Sequence, residues 1–146
     1  METLKIWILT LWVGGLWIIG ALVAPTLFML LPTNRPLAGY LAGHLFAYIG
    51  WVGLVSGLVL IGYWLIILGF RALQDKSFWL VVLMLLLIAV SQFAIFPIVA
   101  TLRHASIDGV NQILGAGFAT WHHLSSGLYL LECILGAYLV QREFRL

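Results

Sequence analysis

His44, His104, His122 and His123 are the side chains of this chain best suited to chemistry. Imidazole binds transition metals, ligates haem iron and titrates near neutral pH. The order of apolar stretches set out below brings all four to one end of a helical bundle, together with Arg35, Arg103, Asn34, Asp108 and Asn111. A site drawing His44 from one helix and His122 or His123 from another has the ligand geometry of a haem b centre. Two or three of the histidines could instead hold a soft or borderline transition metal. His44 and His123 are the first choice of ligands, with Arg103 or Arg35 placed to pair with an anionic group such as a haem propionate or a lipid phosphate. Two facts weigh against a ligand set. Adjacent residues of a helix point about 100° apart, so His122 and His123 do not both enter one site. The fixed ligand spacing of zinc sites is also missing.

Glu132 is the second informative residue. It lies eleven positions beyond Trp121, about 16 Å along a helix at 1.5 Å per residue. That is near mid-membrane, where a carboxylate is costly and normally faces the bundle interior. It could relay protons, meet a cation, or donate a hydrogen bond to Ser56, Ser91 or Gln92 on neighbouring helices. Cys133 beside it belongs to another face and reads as a small packing residue.

The elements that position these groups follow from composition. Of 146 residues, 64% are apolar and 8% charged; soluble domains carry roughly 45–50% and about 25%. Lipid must therefore be the solvent for most of the surface. The net charge of +2 is scattered and forms no basic stripe, which argues against a nucleic-acid partner. A single cysteine allows no internal disulfide. A span needs about 20 apolar residues to cross roughly 30 Å of hydrocarbon. Four stretches qualify, at about 4–31, 37–70, 77–102 and 121–140. They predict one all-α domain over residues 1–146, a four-helix transmembrane bundle. The first stretch exceeds the roughly 7–15 residues of a signal peptide's apolar region, and Pro25 disfavours cutting after Ala24, so it reads as a retained span. The second is longer than one straight crossing and has to tilt strongly or lay its first turns along the interface. Residues 103–120 form the one sizeable connection, where Ser106-Ile107-Asp108 could cap a short helix.

Lysine and arginine near the span ends set the orientation. Lys5, Arg71, Lys76, Arg142 and Arg145 stand on one side, Arg35 and Arg103 on the other. Five against two predicts cytoplasmic termini and an outward-facing histidine end; a bacterial inner membrane is the location expected for such a chain. Gly39 with Gly43, and Gly53 with Gly57, place small residues on one helix face where another helix can approach closely. Trp7, Trp79 and Trp121 lie where interfacial anchors belong. Pro25 and Pro97 each remove a helix hydrogen bond near the histidine end, and could open it into a shallow vestibule or simply end the helices. No motif for nucleophilic catalysis, nucleotide binding or membrane proteolysis is present.

The segments LWVGGLWIIGALVAPTLFMLLP, RPLAGYLAGHLF and FATWHHLSSGLYLL, with FPIVATLR more loosely, resemble the DUF4149 family of transmembrane protein 205-like chains. The most distinctive pieces are Ala38-Gly39 followed by Gly43 and Leu45-Phe46, and His123-Leu124-Ser125-Ser126. The resemblance implies a four-span fold and no established reaction. The family's human member is associated with cellular handling of metal-containing drugs, which is compatible with a metal-facing role. WVGGLWIIGALVAPTLF alone is similar to the first span of haem-binding membrane protoporphyrinogen oxidases and of copper-resistance membrane proteins of the CopD kind. The first span here holds no histidine.

Three functions follow as expectations. The leading one is a non-enzymatic membrane protein acting by association, as a homo-oligomer or as an accessory subunit of a membrane complex within the lipid bilayer. The second is a haem- or metal-binding redox or transport protein using the histidines. The third is a proton- or cation-coupled transporter using Glu132.

Overall fold

The computed structural model describes residues 2–107 and 112–144. Four of its helices are long and apolar enough to cross a membrane: Thr3–Leu30, Arg35–Gln74, Lys76–Leu102 and Thr120–Glu143. The first span is built from α1 (Glu2–Trp17), a π-helical turn (Ile18–Val23) and α2 (Ala24–Leu30). The second is α3 (Arg35–Leu68) followed by a 3-10 turn (Gly69–Gln74). The third joins α4 (Lys76–Val90), a second π turn (Ser91–Ile95) and α5 (Phe96–Ile107). The fourth lies within α6 (Gln112–Glu143). No strand occurs among the described residues.

Local chemistry sets three of the helix ends. The Asn34 side chain accepts from the Leu37 N–H at 3.2 Å and starts α3. Asp75 does the same for α4 through the Ser77 N–H at 2.8 Å. Such caps satisfy donors that the first helical turn leaves open. Gly69 takes φ 55° where α3 ends, a backbone region that a side chain would strain.

One expectation narrows and one changes. α3 is one continuous helix of 34 residues, which fits a strongly tilted crossing without a separate interfacial segment at its start. The connection expected over residues 103–120 is largely helical, because α5 continues to Ile107 and α6 begins at Gln112. Gly115 and Gly117 do not stop α6, since an internal glycine costs a helix only about 1 kcal/mol and no proline accompanies them. Asp108 and Asn111 lie outside the described residues.

The spans close into a ring in which each packs against two others: α1 on α3, α3 on α4, α4 on α6 and α6 on α1. The half nearer the termini is solid. Leu9, Trp12, Leu16, Leu60, Trp64, Val81, Met84 and Leu139 fill it. Two polar ties close that end. Lys5 Nζ meets Glu143 Oε2 at 2.8 Å, joining the first span to the fourth. Arg142 donates through Nε to Ser77 Oγ at 2.9 Å and faces Asp75 at 3.7 Å, joining the fourth to the third. Leu11, Leu22, Ile66 and Leu86 are exposed on the outside, where lipid is their natural cover.

Candidate functional site

The other half of the bundle is hollow, and both prolines border the reason. Proline has no N–H for the carbonyl four residues back, and its ring crowds that carbonyl. The chain remains helical through both positions by widening the turn ahead of each ring. The Ala24 N–H bonds to the Ile19 carbonyl and the Phe96 N–H to the Ser91 carbonyl, both five residues back. Such π turns are frequent at functional sites. Gly20 and Ala21 from the first π turn, with Ser91, Gln92 and Ile95 from the second, line a cavity of about 390 Å³. The prolines therefore neither end the spans nor leave a shallow vestibule; the hollow runs down to Glu132.

Small residues of α3 make the volume. Gly39, Ala42, Gly43, Ala47 and Gly50 form its side of the cavity. The two glycine pairs of α3 thus have different surroundings. Among the described residues, a Cβ at Gly39 would find only Phe28 Cζ, 3.9 Å away. In the solid half, a Cβ at Gly53 would lie 2.7 Å from both Ile88 Cδ1 and Trp12 Nε1, and one at Gly57 would lie 2.6 Å from Leu85 Cδ2.

The polar groups sit deep in this apolar lining. Glu132 is 4% exposed and lines the cavity. Among the described residues its carboxyl has no hydrogen-bond or ion-pair partner. The candidate partners are engaged elsewhere or stand off: the Gln92 amide donates to the Ala47 carbonyl at 2.8 Å. Gly50 admits that amide, since a Cβ there would lie 2.8 Å from Gln92 Nε2. Replacing Gln92 with leucine should remove this interhelical bond and cost about 0.5–1.5 kcal/mol, read by equilibrium unfolding in mixed micelles. An unchanged midpoint would show the bond to be dispensable. Tyr129 spans the cavity wall: its hydroxyl donates to the Leu16 carbonyl at 2.6 Å, and its ring meets Phe46 edge-on at 4.6 Å. Cys133 is buried and lines the same cavity as its neighbour Glu132. The hollow is wide enough to be bordered by adjacent positions of one helix, so the packing role expected of Cys133 is only part of its setting.

The histidines separate. His122 lines the cavity, and its carbonyl accepts from Ser125 Oγ and Ser126 Oγ, each at 2.9 Å. His123 is exposed, with its ring 6.2 Å from that of His122. His44 is exposed on α3 between Tyr40 and Tyr48, at ring distances of 4.5 and 6.5 Å. Arg35 is exposed at the start of α3. Arg103 and His104 fall on α5, and their side chains lie outside the described residues. Among the described residues, no three His, Cys, Asp or Glu side chains gather to hold a metal ion. A haem or metal centre inside the cavity has to start from His122, the one described histidine in its lining.

Sequence reasoning did not single out Tyr129 or Gly50, and reads Gly20 only as a helix-packing glycine of the first span. Each matters through a partner on another span, and single-chain spacing carries no record of that. The two prolines were the available signal for the π turns.

Fold and site together define a four-span membrane protein with a hollow half and a buried carboxyl that has no partner among the described residues. Residues 7–107 match the family described as a domain of unknown function (DUF4149), and the chain belongs to that family. The matched segment holds the first three spans; α6, with Glu132 and Tyr129, lies beyond it. No curated protein and no solved structure matches the chain.

Proposed function

We propose that the protein is a carrier for small organic cations, which exchange with a proton at Glu132. The observation that supports this most directly is the Glu132 carboxyl, buried at a cavity and without a partner among the described residues. A carboxylate away from water needs a proton, a cation or hydrogen-bond donors close by, and no donor reaches Glu132 among the described residues. Phe28, Phe46, Phe96 and Tyr129 line the same space, and aromatic faces attract organic cations by roughly 0.5–2 kcal/mol each. The Ser125 and Ser126 hydroxyls are bonded to the His122 carbonyl, which favours binding over nucleophilic catalysis. The test is binding of tetraphenylphosphonium to purified protein in nanodiscs, compared with Glu132→Gln. Equal affinity in the two proteins would remove the carboxyl from the site.

We assign cytoplasmic termini from the excess of basic residues at the termini end. The cavity then faces outward. Labelling of a cysteine placed at Thr33 by an impermeant thiol reagent on intact cells reports that side directly.

Association is the second reading, favoured by Tyr40, His44 and Tyr48. These stand at four-residue spacing on an exposed face of α3. Tyr48 lies thirteen residues beyond Arg35, about 20 Å along the helix, too deep for an interfacial anchor. Polar tips facing lipid at that depth favour pairing with a second copy of the chain, worth about 0.6–2 kcal/mol per interhelical hydrogen bond. The double variant His44→Leu, Tyr48→Phe should shift a dimer toward monomer in sedimentation; an unchanged distribution would discard this face. Ligation of haem or a metal by His122 or the outer histidines is read from the oxidised and reduced optical spectra, with elemental analysis of the same sample.

A further inference from the structure

Most of the cavity lining is buried or half-buried, but on two spans it reaches the outer surface. Trp17 and Ala21 of the first span are exposed, and so are His122, Ser126 and Leu130 of the fourth. The three α6 residues recur every four positions and form one stripe on that helix. The two spans touch through α1 and α6, whereas α2 packs against α3. From the first π turn outward the first and fourth spans draw apart, Tyr129 reaching across to Leu16 and Gly20, and the cavity opens between them beside that bridge.

The depth of this opening decides what borders it. Leu130 is 57% exposed and two residues from Glu132, a rise of about 3 Å. Across the gap, Trp17 adjoins Leu16, whose carbonyl receives the Tyr129 hydroxyl, so both rims reach the level of the carboxyl. From His122 to Leu130 the opening runs eight residues, about 12 Å down the helix. At that depth the neighbouring phase is hydrocarbon, not water.

We propose that the cavity is entered sideways from the bilayer, through the crevice between the first and fourth spans, with Ala21 and Ser126 as its narrow point and a membrane-dissolved organic cation as its ligand. The choice of ligand rests on the Glu132 reading above; the route rests on the exposed rims and stands independently. Ala21 and Ser126 are the smallest side chains on the two rims, which leaves a gap between the bulkier Trp17 and Leu130. A cation that partitions into lipid is concentrated beside this gap. A strongly hydrated one is not.

Cys133 is the one cysteine of the chain and lines the cavity, so its accessibility reports the route without any ligand. In phosphatidylcholine vesicles, a lipid-soluble maleimide should modify Cys133 at least about tenfold faster than a charged, impermeant maleimide at equal total concentration. Ala21→Trp should slow the lipid-soluble reagent about tenfold, and the milder Ala21→Val partially, in wild-type and Glu132→Gln backgrounds alike. A Ser126→Cys, Cys133→Ser protein places the thiol at the rim and should keep the same reagent preference. Faster modification by the charged reagent, rates unmoved by both Ala21 variants, or no reaction at either thiol would overturn lateral entry. Absence of tetraphenylphosphonium binding to the wild-type protein, or equal binding to Glu132→Gln, would count against the carrier reading and leave these labelling rates unchanged.

Discussion

Glu132→Gln is expected to weaken tetraphenylphosphonium binding by about 30- to 5,000-fold, the equivalent of losing one buried charge pair at roughly 2–5 kcal/mol. Glutamine preserves the shape of the side chain and carries no charge. The cavity, the Tyr129 bond to Leu16 and the Gln92 bond to Ala47 should therefore persist. The variant should fold as the parent does, because no hydrogen bond to Glu132 is broken among the described residues. The pH dependence follows from competition. A protonated carboxyl does not pair with the cation, so wild-type affinity should fall as pH falls, approaching tenfold per unit once the protonated form dominates. The sign is fixed: acid weakens binding and alkali strengthens it, and the glutamine variant loses the dependence. Binding measured in nanodiscs across pH distinguishes these cases. A wild-type affinity independent of pH would separate the cation site from Glu132 even if some binding remained.

The second large effect lies in the solid half. Gly53→Val should destabilise the bundle by about 1–3 kcal/mol, the usual cost of overfilling a packed core. A Cβ at residue 53 would lie 2.7 Å from both Trp12 Nε1 and Ile88 Cδ1. Trp12 is fully buried and Ile88 nearly so, and a rigid indole cannot retreat as the end of a flexible chain can. The new methyl groups must therefore push the first and third spans away from α3. Gly62→Val is the control, because a Cβ there meets nothing within 4 Å. Its cost should stay within the few tenths of a kcal/mol set by helix propensity. Equilibrium unfolding in mixed micelles compares the two; similar midpoints would mean that the helices adjust freely around Gly53. A counterpart in the hollow half behaves differently in physical terms. Among the described residues Gly39 has no close neighbour apart from Phe28, and it lines the cavity, so added volume there enters the cavity rather than the core.

Much of this was fixed by composition and order. Four apolar runs, each long enough to cross hydrocarbon, determine the number of spans, because an unpaired backbone is not tolerated in lipid and a helix satisfies itself. Asn34 and Asp75 mark the starts of α3 and α4 through caps built from adjacent residues. Glu132 stands out from its position in the fourth run alone, since a carboxyl in that setting is costly wherever it points. These features are local, or depend on one chain segment against its solvent.

The tertiary structure decided what the local record leaves open. Whether a glycine packs or lines a void depends on the facing span, so Gly53 and Gly39 differ although both belong to the same kind of spacing. Which of His122 and His123 faces the cavity depends on the rotation of α6 about its axis, and that is set by contacts with α1 and α4. The prolines signalled disturbed helices, but the widened turns and the space behind them arise only where Gly20 receives the Tyr129 ring and Gly50 receives the Gln92 amide. Those pairs join residues 109 and 42 positions apart in the chain. Burial against lipid rewards any apolar residue alike, so the pattern of hydrophobicity carries no register between spans; shape and a few polar bonds do.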